Sequence, residues 1–386
     1  MNVVFLSPAF PPGSHLFCTA LAARGVRVLG IGDEPAHALP PELAAALTEY
    51  VFAPEMADDR VLHAAVAGLV ARHGAIDRLE SNGEHWLDAE GRLRDAFDVP
   101  GLRTEEVRLF RSKRGMAERF ASAGVETPPS AACDSPAAVR GLAQRHGFPL
   151  VFKPDTGSGA ADTFAVHDQD ALSRALCVPR PHHIVQPFVE GEIVTFDGLV
   201  DDGGEIVMST SHAYDMGIME VRQAALDGHY YSLRVIPAAI EEQGRRAVAA
   251  FGLRQRFFHV EFFVRPDGSL VALEMNVRPP GGFTTDMMNY AGDIDVYALW
   301  AAVIAGDSPG AVEYERRFHV AHAGRRQARS YRHPHDALLP MLGATLLETR
   351  AVPPAFAATM GDVAYLLRHP DLDAVRAAIA DVQAPA

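Results

Sequence analysis

The chain of 386 residues is 48% hydrophobic and 22% charged, a balance that builds packed cores and excludes intrinsic disorder. Its length exceeds the roughly 250–300 residues that one hydrophobic core holds, so two or three domains are expected. A net charge of −14, with arginines in small scattered groups such as Arg325, Arg326 and Arg329, argues against a nucleic-acid surface and against polybasic attachment to a membrane.

In chain order, MNVVFLSP reads as a buried strand, HLFCTALAARG as a helix closed by Gly25, and VRVLGIGD as a second strand. ALPPELAAALTEYVFAP gives a short helix and a third strand. DDRVLHAAVAGLVARHG is an amphipathic helix ending at Gly74, IDRLESN a strand, and GEHWLDAEGRLRDAF a further helix. This alternation argues a parallel, doubly wound sheet over residues 1–104. No GxGxxG follows the first strand, so a dinucleotide site has little support there.

A new unit begins near Thr104 with a basic helix, EEVRLFRSKRGMAERFASAG, a Pro-rich connection and the helix SPAAVRGLAQRHG. Strands then dominate from PLVFKP to HYYSLRVIP. They return in HVEFFVRPDGSLVALEMNVRPP, where Pro-Asp-Gly marks a hairpin turn. From Gly306 onward the pattern mixes strands and helices. The start carries no basic segment and is broken by prolines, unlike a secretory leader. No window offers the roughly 18 apolar residues of a membrane span. The three cysteines, Cys18, Cys133 and Cys177, form no CxxC pair, so a reducing cytoplasm is expected.

The hairpin carries the densest chemistry. Strand alternation puts Glu274, Asn276 and Arg278 on one face and Leu273, Met275 and Val277 on the other, with Glu261 across the turn. Oxygen ligands of this kind suit Mg2+, completed by phosphate oxygens, and Arg278 can hold a phosphoryl group or a carboxylate bidentately. A structural Glu274–Arg278 ion pair explains any single member. The set of four, followed by Gly281-Gly282, favours a site.

The chain has two lysines, Lys113 and Lys153, among 35 basic side chains. Lys153 ends a strand and precedes Asp155-Thr156-Gly157-Ser158-Gly159, whose glycines let backbone N–H groups approach an anion. An ammonium is a compact point charge that fits between phosphate oxygens, which a planar guanidinium does not. A Walker A loop is excluded, because there the lysine follows the glycines. HIVQPFVEGEIVTFDG contains a link between strands that can offer backbone groups to a base edge and a carboxylate to a ribose. His212, Tyr214, Arg222, Tyr230, Tyr231 and Arg234 lie between this link and the hairpin, and either arginine can hold a substrate carboxylate. Each of these six residues taken singly is equally well explained by packing. Gly281-Gly282 can present N–H groups to a carboxylate or acyl phosphate beside Arg278. His319, His322, His333 and His335 read as a polar loop rather than a zinc site.

Lys113, the K-P-x-x-G-x-G loop at Lys153, the Q-x-x-V-E-G-E link at Gln186 and the E…E-x-N-x-R hairpin follow one another in the order of the ATP-grasp superfamily, which roughly residues 105–305 resemble. The resemblance implies a mixed α/β and α+β fold, with an N-terminal doubly wound parallel α/β domain followed by a two-subdomain ATP-grasp fold. The expected boundaries are 1–104 for the N-terminal domain, 105–185 for the central or lid subdomain, 186–310 for the subdomain with the metal hairpin, and 311–386 for a C-terminal α/β extension.

The resemblance also implies roles. Lys113, Lys153, Ser158 and Gly159 would hold the phosphates of ATP. Gln186, Phe188 and Val189 would meet adenine, and Glu192 the ribose. Glu261, Glu274 and Asn276 would ligate Mg2+, with Mn2+ accepted by the same oxygens. Arg278, with Lys153, would stabilise the phosphoryl group in flight. Gln186 departs from the glutamate of many members, and the GSGAAD loop is poorer in serine than in some.

Within the superfamily the chain most resembles carboxylate–amine ligases, including amino-acid and dipeptide ligases. These phosphorylate a small carboxylate with ATP and let an amine attack the acyl phosphate, often as homodimers. Alternatives are a biotin-carboxylase-like enzyme, a kinase-type enzyme and a nucleotide sensor without chemistry. No C-terminal biotin-carrier domain is visible for the first, and the intact four-residue set argues against the last.

Overall fold

The computed structural model describes residues 1–157, 162–215, 217, 221, 226–307 and 309–386. The apolar runs Asn2–Leu6, Arg27–Gly32, Leu47–Phe52 and Arg78–Glu80 form a parallel sheet in which the first strand lies between the second and the fourth. Val4, Leu6, Leu29 and Ile31 pack on Leu62, Val66, Leu69 and Leu93 of the helices Asp59–His73 and Leu87–Phe97. Val3, Phe5 and Val28 pack the other way, on Phe17 and Leu21 of helix Ser14–Ala23 and on Trp300 of helix Val296–Ile304. The sheet is therefore covered on both faces, as its alternating pattern demands. The order in which strands are added reverses between the first and fourth strands, so a crevice opens beyond Leu6 and Glu80.

The second sheet has nine antiparallel strands. Its order runs Leu270–Asn276, Arg256–Val264, Glu192–Val200, His212–Tyr214, His229–Ser232, His319–Arg325, Val363–His369 and Leu346–Ala351, with Ile206–Thr210 also paired to Glu192–Val200. The residues expected as a C-terminal extension thus continue the sheet that carries the hairpin. A third sheet, Ala131–Ala132, His183–Pro187, Leu150–Pro154 and Phe164–Val166, is covered by helices Pro136–His146 and Gln169–Leu176 and forms the lid.

Two boundaries differ from the sequence reading. Gln186 pairs with Val151 inside the lid, so the lid extends through Pro187. Helices Thr104–Arg111 and Lys113–Ser122 bury Val107, Phe110, Met116 and Phe120 with Phe196, Phe251 and Phe258, in the core of the large sheet rather than the lid.

The parallel sheet is joined to the large one by buried charge. Arg256 reaches Glu90 at 2.6 Å and Glu80 at 3.3 Å, while Arg94 reaches Glu90 at 3.0 Å and Glu80 at 3.2 Å. Two carboxylates and two guanidiniums balance, which is what permits such groups in a dry interface. Arg256 Nε also donates to the Val277 carbonyl at 2.7 Å, fixing the backbone just before Arg278. Among the described residues no helix is long and apolar enough to cross a membrane.

Candidate active site

The three sheets meet around a cavity of about 1020 Å³. On its hairpin wall, Glu261 pairs directly with Glu274, and His259 with Asn276. Met275 and Val277 point into the core as alternation requires. Leu273 does not. The register shifts after Glu261, pairing Phe262 with Ala272, and the extra residue turns Leu273 toward the cavity beside Glu274.

The two carboxylates are supported differently. His259 is clamped, donating through Nδ1 to Asp197 at 2.6 Å and through Nε2 to Glu261 at 3.0 Å. Burial alone would lower the His259 pKa, but the two carboxylates outweigh it and raise it to about 10. Asp197 is wholly buried and also meets His212 Nδ1 at 2.8 Å and accepts from Thr195 Oγ1 at 2.5 Å. Burial would raise its pKa, and the two histidines instead take it to about 2. Burial likewise opposes ionisation of Glu261, yet the imidazolium of His259 holds it below the carboxylate range. Glu274 is pushed up by burial and then by Glu261, although it accepts from Asn276 Nδ2 at 3.1 Å.

Two facing carboxylates that repel each other, with an amide beside them, are a chemical fit for a hard divalent cation. Among the described residues no cluster of three or more His, Cys, Asp or Glu side chains would enclose a metal by itself. Mg2+ commonly completes such a set with phosphate oxygens.

The lysines face this wall. Lys153 is buried at the end of strand Leu150–Pro154 and lines the cavity. Burial, and then Lys113, draw its pKa down to about 8 against the opposing pull of Glu274, Glu261 and Asp155. Lys113 opens helix Lys113–Ser122, donating to the Gly157 carbonyl at 2.7 Å and lying 3.9 Å from Glu274. Asp155 ties the two lysine-bearing segments together. It accepts from Ser112 Oγ and the Arg114 N–H, both at 2.9 Å, and its carbonyl takes the Lys113 N–H at 2.9 Å. Ser158 and Gly159 lie outside the described residues.

Gln186, Phe188, Val189 and Glu192 line the same cavity along the link from lid to large sheet. The Gln186 side chain is buried and donates to the Pro128 carbonyl at 3.4 Å, leaving Phe188 exposed at the rim. Pro128, Val151, Ile193 and Leu273 add apolar surface there, which the sequence reading missed. Of these, Val151 was within reach, since it alternates with buried Leu150 and Phe152.

Arg278 stands at the far end of the wall. Its Nη2 meets Glu84 at 3.0 Å, its Nη1 donates to the Pro279 carbonyl at 2.9 Å, and Glu84 is shared with Arg111 at 3.0 Å. Glu84 comes from the parallel-sheet domain and had no sequence signal of its own.

Both lysines, the linking segment, the paired carboxylates and the arginine border one cavity. Residues 110–282 match the family model described as an ATP-grasp domain. The chain carries an ATP-grasp domain. The L-arginine-specific L-amino acid ligase of Bacillus subtilis is 24% identical over 242 residues, which are 60% of this chain and 57% of that protein. The carbamoyl phosphate synthase large chain of Bifidobacterium adolescentis is 26% identical over 289 residues, 68% of this chain and 24% of that one. The chain thus spans 57% and 24% of the lengths of these two curated relatives. Among solved structures, the L-amino acid ligase from Bacillus licheniformis superposes with a TM-score of 0.75 at 16% identity, covering 97% of this chain and 95% of that one. N5-carboxyaminoimidazole synthetase from Staphylococcus aureus, complexed with ADP, superposes at 0.71 and 13% identity, covering 98% and 96%. At such identities these likenesses establish the fold.

The remaining candidates divide around the ATP-grasp domain. Tyr214, Tyr230, Gly281 and Gly282 line the cavity. His212 does not. It is fully buried behind Tyr230, held on the Asp197 network. Arg234 donates to the Arg316 and Pro370 carbonyls at 3.1 and 2.9 Å, away from the cavity, so it is a structural tie rather than a carboxylate anchor. The Tyr231 hydroxyl accepts from Arg376 instead of reaching the cavity. Arg222 lies outside the described residues. His319 and His322 sit in a strand, not the expected polar loop, and His322 lines the cavity.

Proposed function

We propose that the protein is an ATP-dependent ligase that activates a carboxylate, here read as that of an amino acid, as an acyl phosphate and joins it to an amine, releasing ADP and phosphate. The observation that carries this reading is the single cavity with Lys113 and Lys153 on one side, Glu261 and Glu274 facing them, and Arg278 beyond. Three ligands in sequence, nucleotide, acid and amine, require a continuous space of this kind.

Lys113 and Lys153 would neutralise phosphate oxygens, and Gln186, Phe188, Val189 and Glu192 would seat the nucleoside. Glu261, Glu274 and Asn276 would hold Mg2+, with Mn2+ as a substitute, and the metal when bound supplies charge neutralisation across the phosphates. His259 keeps Glu261 ionised and oriented.

A carboxylate oxygen of the acid attacks the γ-phosphorus and the bond to the β-phosphate oxygen breaks, giving ADP. Arg278 stabilises the charge spread over the transferring group. The amine nitrogen then attacks the acyl carbon, phosphate leaves and the nitrogen loses a proton, with the Gly281-Gly282 backbone offered to the developing oxyanion. The protein supplies position and charge, and needs no covalent nucleophile. The curated L-amino acid ligase relative supports an amino acid as the activated acid. A homodimer in the cytoplasm is proposed on the family resemblance, and light scattering tests the assembly.

The test is an ADP-release screen over pairs of amino acids with Mg2+, with products identified by mass. Amide formation in step with ADP is the expected result. ADP release without any amide across a broad panel overturns the ligase reading.

A further inference from the structure

Past Arg278 the cavity ends in a recess that the nucleotide machinery does not use. Gly282 sits at its base with φ +69, where a Cβ would meet Met360 Cε at 2.7 Å and the Tyr230 hydroxyl at 3.1 Å. Only glycine lets those side chains lie against the backbone four residues beyond Arg278. Tyr214 stacks on Tyr230 with centroids 4.8 Å apart, and His322 lies 5.3 Å from Tyr230. Phe356 closes the rim by stacking at 5.4 Å on Phe10, which reaches over from the parallel-sheet domain. All of these residues line the one cavity.

The buried acid beside this recess is already paired. Asp286 accepts from the Tyr297 hydroxyl at 2.7 Å and pairs with Arg350, which also binds Glu348 at 2.7 Å. Asp215, beside Tyr214, faces His229 at 3.6 Å. His322 is buried, burial takes its pKa down to about 4, and neither ring nitrogen has a hydrogen-bond partner within normal geometry. Among the described residues the walls therefore offer aromatic surface, a thioether and an uncharged imidazole. A charged side chain entering against these rings would lose its hydration. An apolar one would lose only unfavourable contact with water.

We propose that this recess receives the side chain of the acid substrate, and that the acid is an amino acid with a bulky apolar or aromatic side chain. The proposal rests on the ligase reading and names the substrate class of that same site. Met360, on the short helix Pro354–Met360, sets the depth of the recess, and Gly282 sets its distance from Arg278.

The test is competition between amino acids as the activated partner, read as kcat/KM from ADP release. Fragmentation of the product identifies which residue supplied the acyl group. Phenylalanine, leucine and methionine are expected to exceed alanine, aspartate, lysine and arginine by roughly ten- to two-hundred-fold, the range that apolar pockets give. Met360→Trp should fill the recess and cost phenylalanine at least about ten-fold while alanine changes little. Met360→Ala should shift preference toward larger side chains. Ligation that favours a charged acid, or a Met360→Trp enzyme with the unaltered preference, overturns the recess assignment and leaves the ligase reading standing. Failure to ligate any amino acid overturns both.

Discussion

The two ends of the cavity are built in opposite ways. At the end proposed for the nucleotide the charged groups sit on elements bonded directly to one another, Lys113 to the loop after Lys153 and Glu261 paired to Glu274 on neighbouring strands. At the end proposed for the substrate the walls come from Phe10, Tyr214, Gly282, His322 and Met360, spread over three hundred and fifty residues. Phosphates are the same in every reaction, so fixed charges on regular elements can meet them. A side chain to be selected needs a surface shaped by whatever elements happen to converge. Chemistry can sit on local motifs, while selectivity is a property of the assembled fold.

The largest effect is expected at the paired carboxylates. Glu274→Ala should lower Mg2+-dependent turnover by about 10²–10³-fold or more, measured as ADP release, and unchanged activity would remove the hairpin from the site. Lys153→Arg should cost about 10²-fold in turnover with a melting temperature near that of the native protein, because a planar guanidinium replaces a buried point charge. An active Lys153→Arg enzyme would refute the compact-cation argument.

The same lysine gives a pH signature. Its pKa lies below the ordinary lysine value, at about 8, so the free enzyme loses this positive charge as pH rises through that point. The value of kcat/KM for ATP should therefore fall above pH 8, and the residual activity of Lys153→Arg should lack that limb.

A different break concerns the joint between the two ends. Glu90→Ala leaves Arg256 and Arg94 short of a carboxylate in a dry interface and should destabilise the fold by about 3–5 kcal/mol, measured by denaturant unfolding. The smallest effect is expected from Arg234→Gln. It removes hydrogen bonds to two carbonyls, worth about 1–3 kcal/mol of stability, and should leave kcat/KM within about three-fold, since 1 kcal/mol is a factor of about five. A large loss of kcat/KM there would return Arg234 to the substrate site.

The grouping of the lysines and the acidic hairpin on one cavity was legible because its signals are short-range. Period-two alternation placed Asn276 and Glu274 together, and the scarcity of lysine singled out Lys113 and Lys153. Leu273 escaped the same rule because a register shift, invisible in composition, turns it toward the cavity. His212 and Arg234 were misplaced for a related reason. Both lie beside Tyr214 and Tyr230 in sequence, but His212 is held by Asp197 of the neighbouring strand, and Arg234, past the end of its strand, is held by the carbonyls of Arg316 and Pro370. Glu84 and Met360 carried no local signal.

By itself the sequence determined the alternating parallel domain, the antiparallel hairpin and the charged residues suited to phosphate and metal. These follow from the period of the apolar residues and from the chemistry of individual side chains. Tertiary structure alone decided that the C-terminal strands extend the hairpin's sheet, that Arg256 bridges to Glu80 and Glu90, and that Met360 lies against Gly282. Long-range pairing and packing set those contacts, and no window of the chain contains both partners.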